Sequence, residues 1–143
     1  MPRMTFPVAV HLFLLKDDQI LLLRRFNTGY EDGNYSVVAG HVDGGEDVYS
    51  AMMREAEEEA GIVLSAGSLK IVQVMHRKKA CEERIDYFFT CDRWEGDARV
   101  MEPGKCDGLM WRGIDSLPDN TIDYIRAAVS NYLAGIPFSV YGW

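Results

Sequence analysis

The segment GHVDGGEDVYSAMMREAEEEAGI, residues 40–62, joins a glycine-rich stretch to a run of four carboxylates. Its first part, with glycines at positions 40, 44 and 45, predicts a loop. Glu46–Ala60 is predicted to form a helix, and Gly61 is a natural C-terminal stop for that helix. The segment therefore predicts a loop that leads directly into an acidic helix.

The carboxylates of this helix are not evenly distributed around it. Glu55, Glu58 and Glu59 are three and four residues apart and share one face, whereas Glu57 points elsewhere, toward solvent. Like charges at this spacing repel, and the helix dipole disfavours anions near a C-terminus. Arg54 could supply one compensating charge and a divalent cation two more; such oxygen ligands suit Mg²⁺ or Mn²⁺. Taken alone, the cluster also fits a solvated acidic helix face.

The spacing of this segment resembles the Nudix family box, G-x5-E-x7-R-E-U-x-E-E-x-G-U, in which U is a bulky apolar residue. Every fixed position is matched, by Gly40, Glu46, Arg54, Glu55, Glu58, Glu59, Gly61 and Ile62. Ala56, at the first U position, is smaller than usual. The resemblance implies an α/β/α sandwich with a mixed sheet between helices, and one Nudix domain over residues 1–143.

The resemblance also implies a reaction and a set of site residues. It implies metal-dependent hydrolysis of a phosphoanhydride bond in a nucleoside diphosphate linked to another moiety. The metal, Mg²⁺ or Mn²⁺, would be held by the Gly40 carbonyl and by Glu55, Glu58 and Glu59. Arg54 would orient the glutamates, and Glu46 would stabilise the loop–helix–loop.

Outward from the box, strands mixed with a second helix predict an α/β class. The predicted strands are Phe6–Leu15, Ile20–Leu23, Tyr35–Ala39, Leu69–Met75, Ile85–Cys91 and Leu109–Trp111. The first is apolar on both faces, as a central strand is. Residues 76–84 and 94–108 are predicted as connections. Asn120–Leu133 is predicted as a helix, capped by Asn120 or Asp119.

Composition narrows the functional class. The formal net charge of −7 argues against bulk nucleic acid as a partner, but a single nucleotide remains compatible. Three cysteines without a C-x-x-C pair argue against a structural disulfide and favour a cytoplasmic protein. The apolar run near Arg3 is too short to span a membrane and lacks a signal-peptide cleavage site. The sequence leaves open whether the chain is a monomer or a homodimer.

Several residues outside the helix are candidates for substrate contact. Arg24, Arg25 and His41 could meet phosphate, although an arginine at a strand end is as readily a solvated charge. The basic run at 77–79 fits a solvated turn better than a phosphate clamp. Aromatic residues at 30, 35, 88 and 89 could stack a base, with core packing expected for the last two. His11 is expected to lie in the core, and Trp111 to be structural.

The resemblance also bears on the substrate, because subfamilies of the Nudix family differ partly at a position downstream of the box. Residues 77–81 lack the proline of ADP-ribose enzymes and the tyrosine of dinucleoside polyphosphate enzymes. The segment 93–97 resembles one found in some MutT-type members. These features favour hydrolysis of a (d)NTP, with oxidised nucleotides included, to the monophosphate and pyrophosphate. The alternatives are ADP-ribose, nucleotide sugars and dinucleoside polyphosphates. Asp97 or Glu102, in the long loop, is predicted to serve as the base.

Two hypotheses from other classes compete with an enzyme. A nucleotide sensor without turnover could use the same fold, but it would have no need to keep Glu55, Glu58 and Glu59. A calcium-binding or acidic interaction protein would make the register of residues 40–62 a coincidence, and the sequence has no EF-hand loop.

Overall fold

The computed structural model describes residues 2–143 as two α-helices packed on a mixed β-sheet. The strands are β1 Val8–Lys16, β2 Gln19–Arg25, β3 Tyr35–Ser36, β4 Val38–His41, β5 Leu69–Lys79, β6 Glu82–Cys91, β7 Cys106–Gly113 and β8 Phe138–Tyr141. The helices are α1 Val48–Ala60 and α2 Asp123–Leu133. Neither of the helices in the described part of the chain is long and apolar enough to cross a membrane.

The sheet has the strand order β3-β2-β1-β6-β5-β8, with β4 paired to β1 and β7 paired to β2. The β1/β6 and β5/β8 pairs are parallel, and the other pairs are antiparallel. Strand β1 is central, as its apolar pattern predicted. Its alternate side chains enter two separate cores: Leu12 and Leu14 pack with α1, whereas Phe13 packs with α2. The helices therefore cover opposite faces, and the predicted α/β/α sandwich is confirmed.

Helix α1 begins two residues later than predicted. Asp47 has an extended backbone and its carboxylate accepts a hydrogen bond from the Ser50 N–H at 2.8 Å, so Asp47 is the N-cap and Glu46 precedes the helix. The C-terminal stop at Gly61 is confirmed, because Gly61 adopts the left-handed conformation, with φ of 67°. Met52, Ala56 and Ala60 are four residues apart on one face of α1, and all three are fully buried against the sheet.

The predicted connection at 76–84 is wrong. Strands β5 and β6 continue through this region as one long antiparallel hairpin, with cross-strand pairing as far as Lys79 and Glu82. The charged side chains misled the prediction, because a strand that is only partly covered tolerates polar residues on its open side. The turn is confined to Ala80 and Cys81, and Ala80 has a positive φ of 55°.

Other elements also differ from the prediction. The segment predicted as Tyr35–Ala39 is divided into β3 and β4, and β4 takes two residues from the predicted loop. Strand β7 begins at Cys106, inside the predicted long loop, because it pairs along nearly all of β2. Strand β8 was not predicted. Helix α2 begins at Asp123, and Asn120 does not cap it: its side-chain amide donates to the Gly33 carbonyl at 2.9 Å.

All three cysteines are free thiols. Cys91 and Cys106 are buried, and Cys81 is exposed in the β5–β6 turn.

Candidate active site

Strand β4 runs against α1, and one glycine sets how closely the two approach. A Cβ atom added to Gly40 would lie 2.1 Å from the carboxyl carbon of Glu55 and 2.2 Å from Oε1. No side chain fits there without displacing that carboxylate. The glycine at the first position of the box therefore allows the Glu55 carboxylate to rest against the strand.

Arg54 ties the acidic groups of this region together. Its Nη1 donates to Glu55 Oε1 at 2.8 Å and to Glu58 Oε2 at 3.2 Å. Its Nη2 and Nε donate to the two carboxylate oxygens of Glu46 at 2.7 and 3.1 Å. Nη2 also donates to the His41 carbonyl at 3.1 Å. The hydrogen bonds from Glu46 raise the pKa of Arg54, and the same bonds lower the pKa of Glu46.

Glu59 lies deeper than the other helix carboxylates. Its Oε1 accepts a hydrogen bond from the Ala39 N–H at 2.9 Å. Burial raises the pKa of Glu59 to about 8, and the nearby charges of Glu55 and Glu102 act in the same direction. Burial also raises the pKa of Glu55, although Arg54 opposes that shift. The predicted solvent position of Glu57 is confirmed, because it is exposed.

The donor set fits a hard divalent cation. Each of the three carboxylates keeps one oxygen that makes no hydrogen bond within residues 2–143: Glu55 Oε2, Glu58 Oε1 and Glu59 Oε2. Burial disfavours the negative charge of Glu55 and of Glu59, and a bound cation would offset that cost. Among the described residues, no three acidic, histidine or cysteine side chains already converge in a metal-binding arrangement. Joint coordination would therefore require the side chains to reorient around the ion.

The two candidate bases in the long loop lie in different surroundings. Glu102 lines a cavity of about 100 Å³ together with Glu59 and Arg25, and its charge acts on both Glu59 and Glu55. Lys105 Nζ lies 3.7 Å from Glu102 Oε2. Asp97 is exposed and lines neither this cavity nor the larger one described next. Geometry thus favours Glu102.

A larger cavity, of about 330 Å³, lies beside the box. The backbone of β4 contributes Gly40 and His41 to its wall, and Arg25 lines both this cavity and the smaller one. The same wall holds three further basic residues and one acid, at Arg77, Lys79, Arg84 and Glu82. Arg77 and Arg84 are paired with Asp86 and Glu82, so Arg25 and Lys79 are the basic groups of this wall that best suit a phosphorylated ligand.

The predicted phosphate contacts are placed unequally. Arg24 forms a bidentate ion pair with Asp107, at 2.7 and 2.6 Å, so its guanidinium is already engaged. Arg25 donates to the Tyr30 carbonyl at 2.7 Å and lies 5.2 Å from the centre of the Tyr30 ring. His41 is exposed at the end of β4 and lines the larger cavity. Arg25 and His41 therefore line the larger cavity, whereas Arg24 lines only the smaller one and is paired with Asp107 of β7.

One group of functional candidates was missed from the sequence. Arg77 is not in a solvated turn: it is buried in β5, with its Nε 2.7 Å from Asp86 Oδ2. Its guanidinium carbon lies 3.5 Å from the centre of the Tyr124 ring. The Tyr124 hydroxyl is 3.1 Å from His11 Nε2. If the β5–β6 hairpin had been recognised, an arginine and an aspartate on its adjacent strands would have indicated this ion pair.

The remaining aromatic and histidine expectations are largely confirmed. Phe88, Phe89 and His11 are buried in the cores. Burial lowers the pKa of His11 to about 4, and Asp86 opposes that shift. Trp111 stacks on Trp94, with ring centres 6.0 Å apart, which is a packing role. Tyr30 is partly exposed at the larger cavity.

Comparison with known proteins shows the family of this chain. A family model described as the NUDIX domain matches residues 5–131. An ADP-ribose pyrophosphatase from Methanocaldococcus jannaschii is 39% identical over 98 residues, which are 68% of this chain and 57% of that protein. The chain thus spans little more than half the length of this curated relative.

Solved structures of other proteins share the fold of this chain. The MutT NUDIX hydrolase from Burkholderia pseudomallei is 29% identical, with a TM-score of 0.81 over 89% of this chain and 98% of that one. The MutT protein from Bacillus halodurans is 17% identical, with a TM-score of 0.75 over 95% and 90% of the two chains, and supports the fold alone.

Proposed function

The chain belongs to the NUDIX family of hydrolases, and we propose that it hydrolyses a nucleoside triphosphate to the monophosphate and pyrophosphate with the help of Mg²⁺ or Mn²⁺. The observation that carries this proposal is that Glu55, Glu58 and Glu59 of one helix each keep an oxygen without a hydrogen bond among the described residues, next to strand β4, which lines a cavity with basic side chains. The likeness at 29% identity to a protein described as a MutT NUDIX hydrolase agrees with the MutT-type resemblance on which the choice of a triphosphate rests.

Some of the site residues would bind the metal, and others would bind the substrate. Glu55, Glu58, Glu59 and the Gly40 carbonyl would hold the cation, which when bound neutralises charge that develops on the phosphate oxygens and polarises water. Arg54 keeps Glu55 and Glu58 on the same side of α1 through its paired hydrogen bonds. Arg25, which lines both cavities, is placed to hold a phosphate by charge-assisted hydrogen bonds.

We assign the role of proton acceptor to Glu102. Carboxylates that hold a cation are poor bases, because the cation occupies their lone pairs. Glu102 lies next to Glu59 but belongs to a different element, so it can stay free to take the proton of the attacking water. Asp97, the other candidate of the long loop, becomes the matched comparison.

A second candidate function is hydrolysis of ADP-ribose or of another nucleoside diphosphate conjugate. The 39% identity to an ADP-ribose pyrophosphatase favours it. The absence of the characteristic proline from residues 77–81 speaks against it. A nucleotide sensor without turnover, which was the hypothesis from another class, would not need the three helix carboxylates.

The deciding experiment is a release assay on the intact protein with a panel of nucleoside triphosphates, ADP-ribose, a nucleotide sugar and a diadenosine polyphosphate. We expect no turnover after dialysis against EDTA, recovery with Mg²⁺ or Mn²⁺, and the highest kcat/KM for a triphosphate. A clear preference for ADP-ribose would replace the substrate while leaving the metal chemistry in place. Full activity in metal-free buffer, or none on any substrate, would refute the proposal.

A further inference from the structure

Arg77 is a buried cation with one donor group to spare. Only 5% of the residue is exposed, and its Nε and Nη2 face the carboxylate of Asp86, which is fully buried. The third nitrogen, Nη1, makes no hydrogen bond with any of residues 2–143. Arg77 lines the larger cavity and also a neighbouring one beside Tyr141 and Gly142, so this donor is available to a ligand.

The surroundings of Arg77 are neutral as a whole. The charges of Arg77 and Asp86 cancel, and the hydroxyl of Tyr124 is bonded to His11, which stays uncharged above about pH 4 because burial lowers its pKa. A neutral pair that still offers an N–H favours an uncharged acceptor, such as a carbonyl oxygen, over an anion. The basic residues Arg25 and Lys79 are more exposed and are better placed for phosphate.

Part of the wall of the larger cavity is lined by small side chains. The side chains that β1 and β4 contribute beside His11 are those of Ala9 and Ala39, which leave space above the sheet. The cavity reaches the box through Gly40 and His41. A nucleotide whose phosphates lie at the helix carboxylates therefore has its base within reach of this cavity.

We propose that Arg77 is a specificity-determining residue that donates a hydrogen bond from Nη1 to a ring carbonyl oxygen of the nucleobase. Among the common bases only adenine lacks such an oxygen, and its 6-amino group is a donor that a donor-only guanidinium cannot match. The enzyme should therefore prefer oxo-bearing bases to adenine. This inference rests on the proposed nucleotide hydrolysis and adds the class of base to it.

The test uses a matched pair of substrates, ITP and ATP, whose purines differ at C6 by a carbonyl in place of an amino group. Wild-type protein with saturating Mg²⁺ should show a kcat/KM for ITP about tenfold or more above that for ATP. In Arg77→Lys, which keeps a counter-charge for Asp86, the ratio should fall toward one, mainly through loss of ITP hydrolysis. The double variant Arg77→Met with Asp86→Asn, which removes the buried pair together, should do the same. Arg112→Lys, at an exposed arginine outside the cavity, is the control and should keep the ratio.

A second readout needs no metal and no turnover. Calorimetry in EDTA should show that IMP binds wild-type protein more tightly than AMP, and that the difference is lost in the Arg77 variants. Equal kcat/KM for ITP and ATP in wild type, or a ratio that survives in either folded variant, would overturn the inference. If no triphosphate is hydrolysed, the proposed function fails and the IMP and AMP affinities still decide the role of Arg77.

Discussion

Arg54 resolves an electrostatic conflict within α1. Glu55 and Glu58 are like charges near the C-terminal end of a helix, where the dipole also disfavours them. The guanidinium reaches both, and it binds Glu46 on the preceding loop through two hydrogen bonds. It therefore fixes the loop to the helix as well as orienting the carboxylates. Arg54 makes no hydrogen bond to Glu59. Among the described residues, the Glu59 carboxylate accepts a hydrogen bond from the Ala39 N–H alone.

The roles of the individual helix carboxylates can be distinguished by substitution to glutamine, which keeps the size of the side chain but removes its charge. We expect Glu58→Gln and Glu59→Gln each to lower kcat/KM by two to four decades, which corresponds to about 3–5 kcal/mol of transition-state stabilisation. Glu57→Gln is the control, because Glu57 is exposed and makes no side-chain hydrogen bond within residues 2–143. Steady-state kinetics with saturating Mg²⁺ measures all three. An equal loss in Glu57→Gln would contradict the assignment of the helix face.

The assignment of the proton acceptor is tested by comparing Glu102→Gln with Asp97→Asn. Glu102 shares a cavity with Glu59, whereas Asp97 is exposed away from it, so only the first variant should lose kcat strongly, by about 10²-fold or more. Its metal affinity, measured by titration of Mn²⁺, should change little, because a base acts on water rather than on the ion. If Glu102→Gln keeps wild-type kcat, the acceptor must lie elsewhere, and a strong loss in Asp97→Asn alone would move it to that residue.

At the scale of the elements, the position of α1 depends on its first turn. The Asp47 carboxylate accepts a hydrogen bond from the Ser50 N–H at the start of the helix. The candidate metal ligands lie further along the same helix. Asp47→Ala should lower the free energy of unfolding by about 1 kcal/mol, which is a drop in Tm of about 3 °C for a domain of this size. Thermal unfolding followed by circular dichroism measures the shift. Asp47→Asn retains a side-chain acceptor and should stay close to wild type; an equal loss in both variants would show that the cap is not the cause.

The elements that the sequence predicted well are those whose signal is local. The box fixed α1 and its glycine stop, and the apolar run of β1 identified a strand covered on both faces, because burial there leaves no polar alternation. The edge strand β8 and the charged ends of β5 and β6 were missed. Their pairing partners lie elsewhere in the chain or across a tight turn, so local composition resembled that of a loop.

The same limit applies to the site. The spacing of Glu55, Glu58 and Glu59 gave the helix face, because helical geometry is short-range. The buried group of His11, Arg77, Asp86 and Tyr124 joins β1, β5, β6 and α2, and no spacing within one segment reveals it. Glu102 was one of two equivalent loop acids in the sequence, and only the fold distinguishes its surroundings from those of Asp97.

Across the whole molecule, charge is sorted by location rather than spread evenly. The chain is acidic overall, but four basic residues line the larger cavity: Arg25, Arg77, Lys79 and Arg84. The neighbouring helix α1 carries several carboxylates. A nucleotide bound across this boundary would meet cations on one side and metal ligands on the other. The acidic remainder of the surface disfavours binding to nucleic acid polymers.

The buried histidine at the centre of the molecule couples its stability to pH. The pKa of His11 is lowered to about 4 in the fold from an ordinary value of 6.5, first because burial disfavours the imidazolium and also because Arg77 repels it, while Asp86 opposes both. The unfolded chain therefore takes up the proton at higher pH than the folded chain. Stability is lost as pH falls from about 6.5 to about 4, and no further loss from this group occurs below that range.

Between pH 7.5 and pH 4.5 this group alone should cost about 2.5 kcal/mol of unfolding free energy. Urea unfolding of wild type and of His11→Gln at both pH values isolates the contribution, because every other titrating group is common to the two proteins. Glutamine can still hydrogen-bond to the Tyr124 hydroxyl, which lies 3.1 Å from His11 Nε2, but it does not titrate. The variant should be less stable than wild type at pH 7.5, since its side chain no longer stacks on Phe88, and should lose less stability on acidification. Equal losses in the two proteins would mean that the pKa of His11 is the same in the folded and unfolded chains, which would contradict the effect of burial.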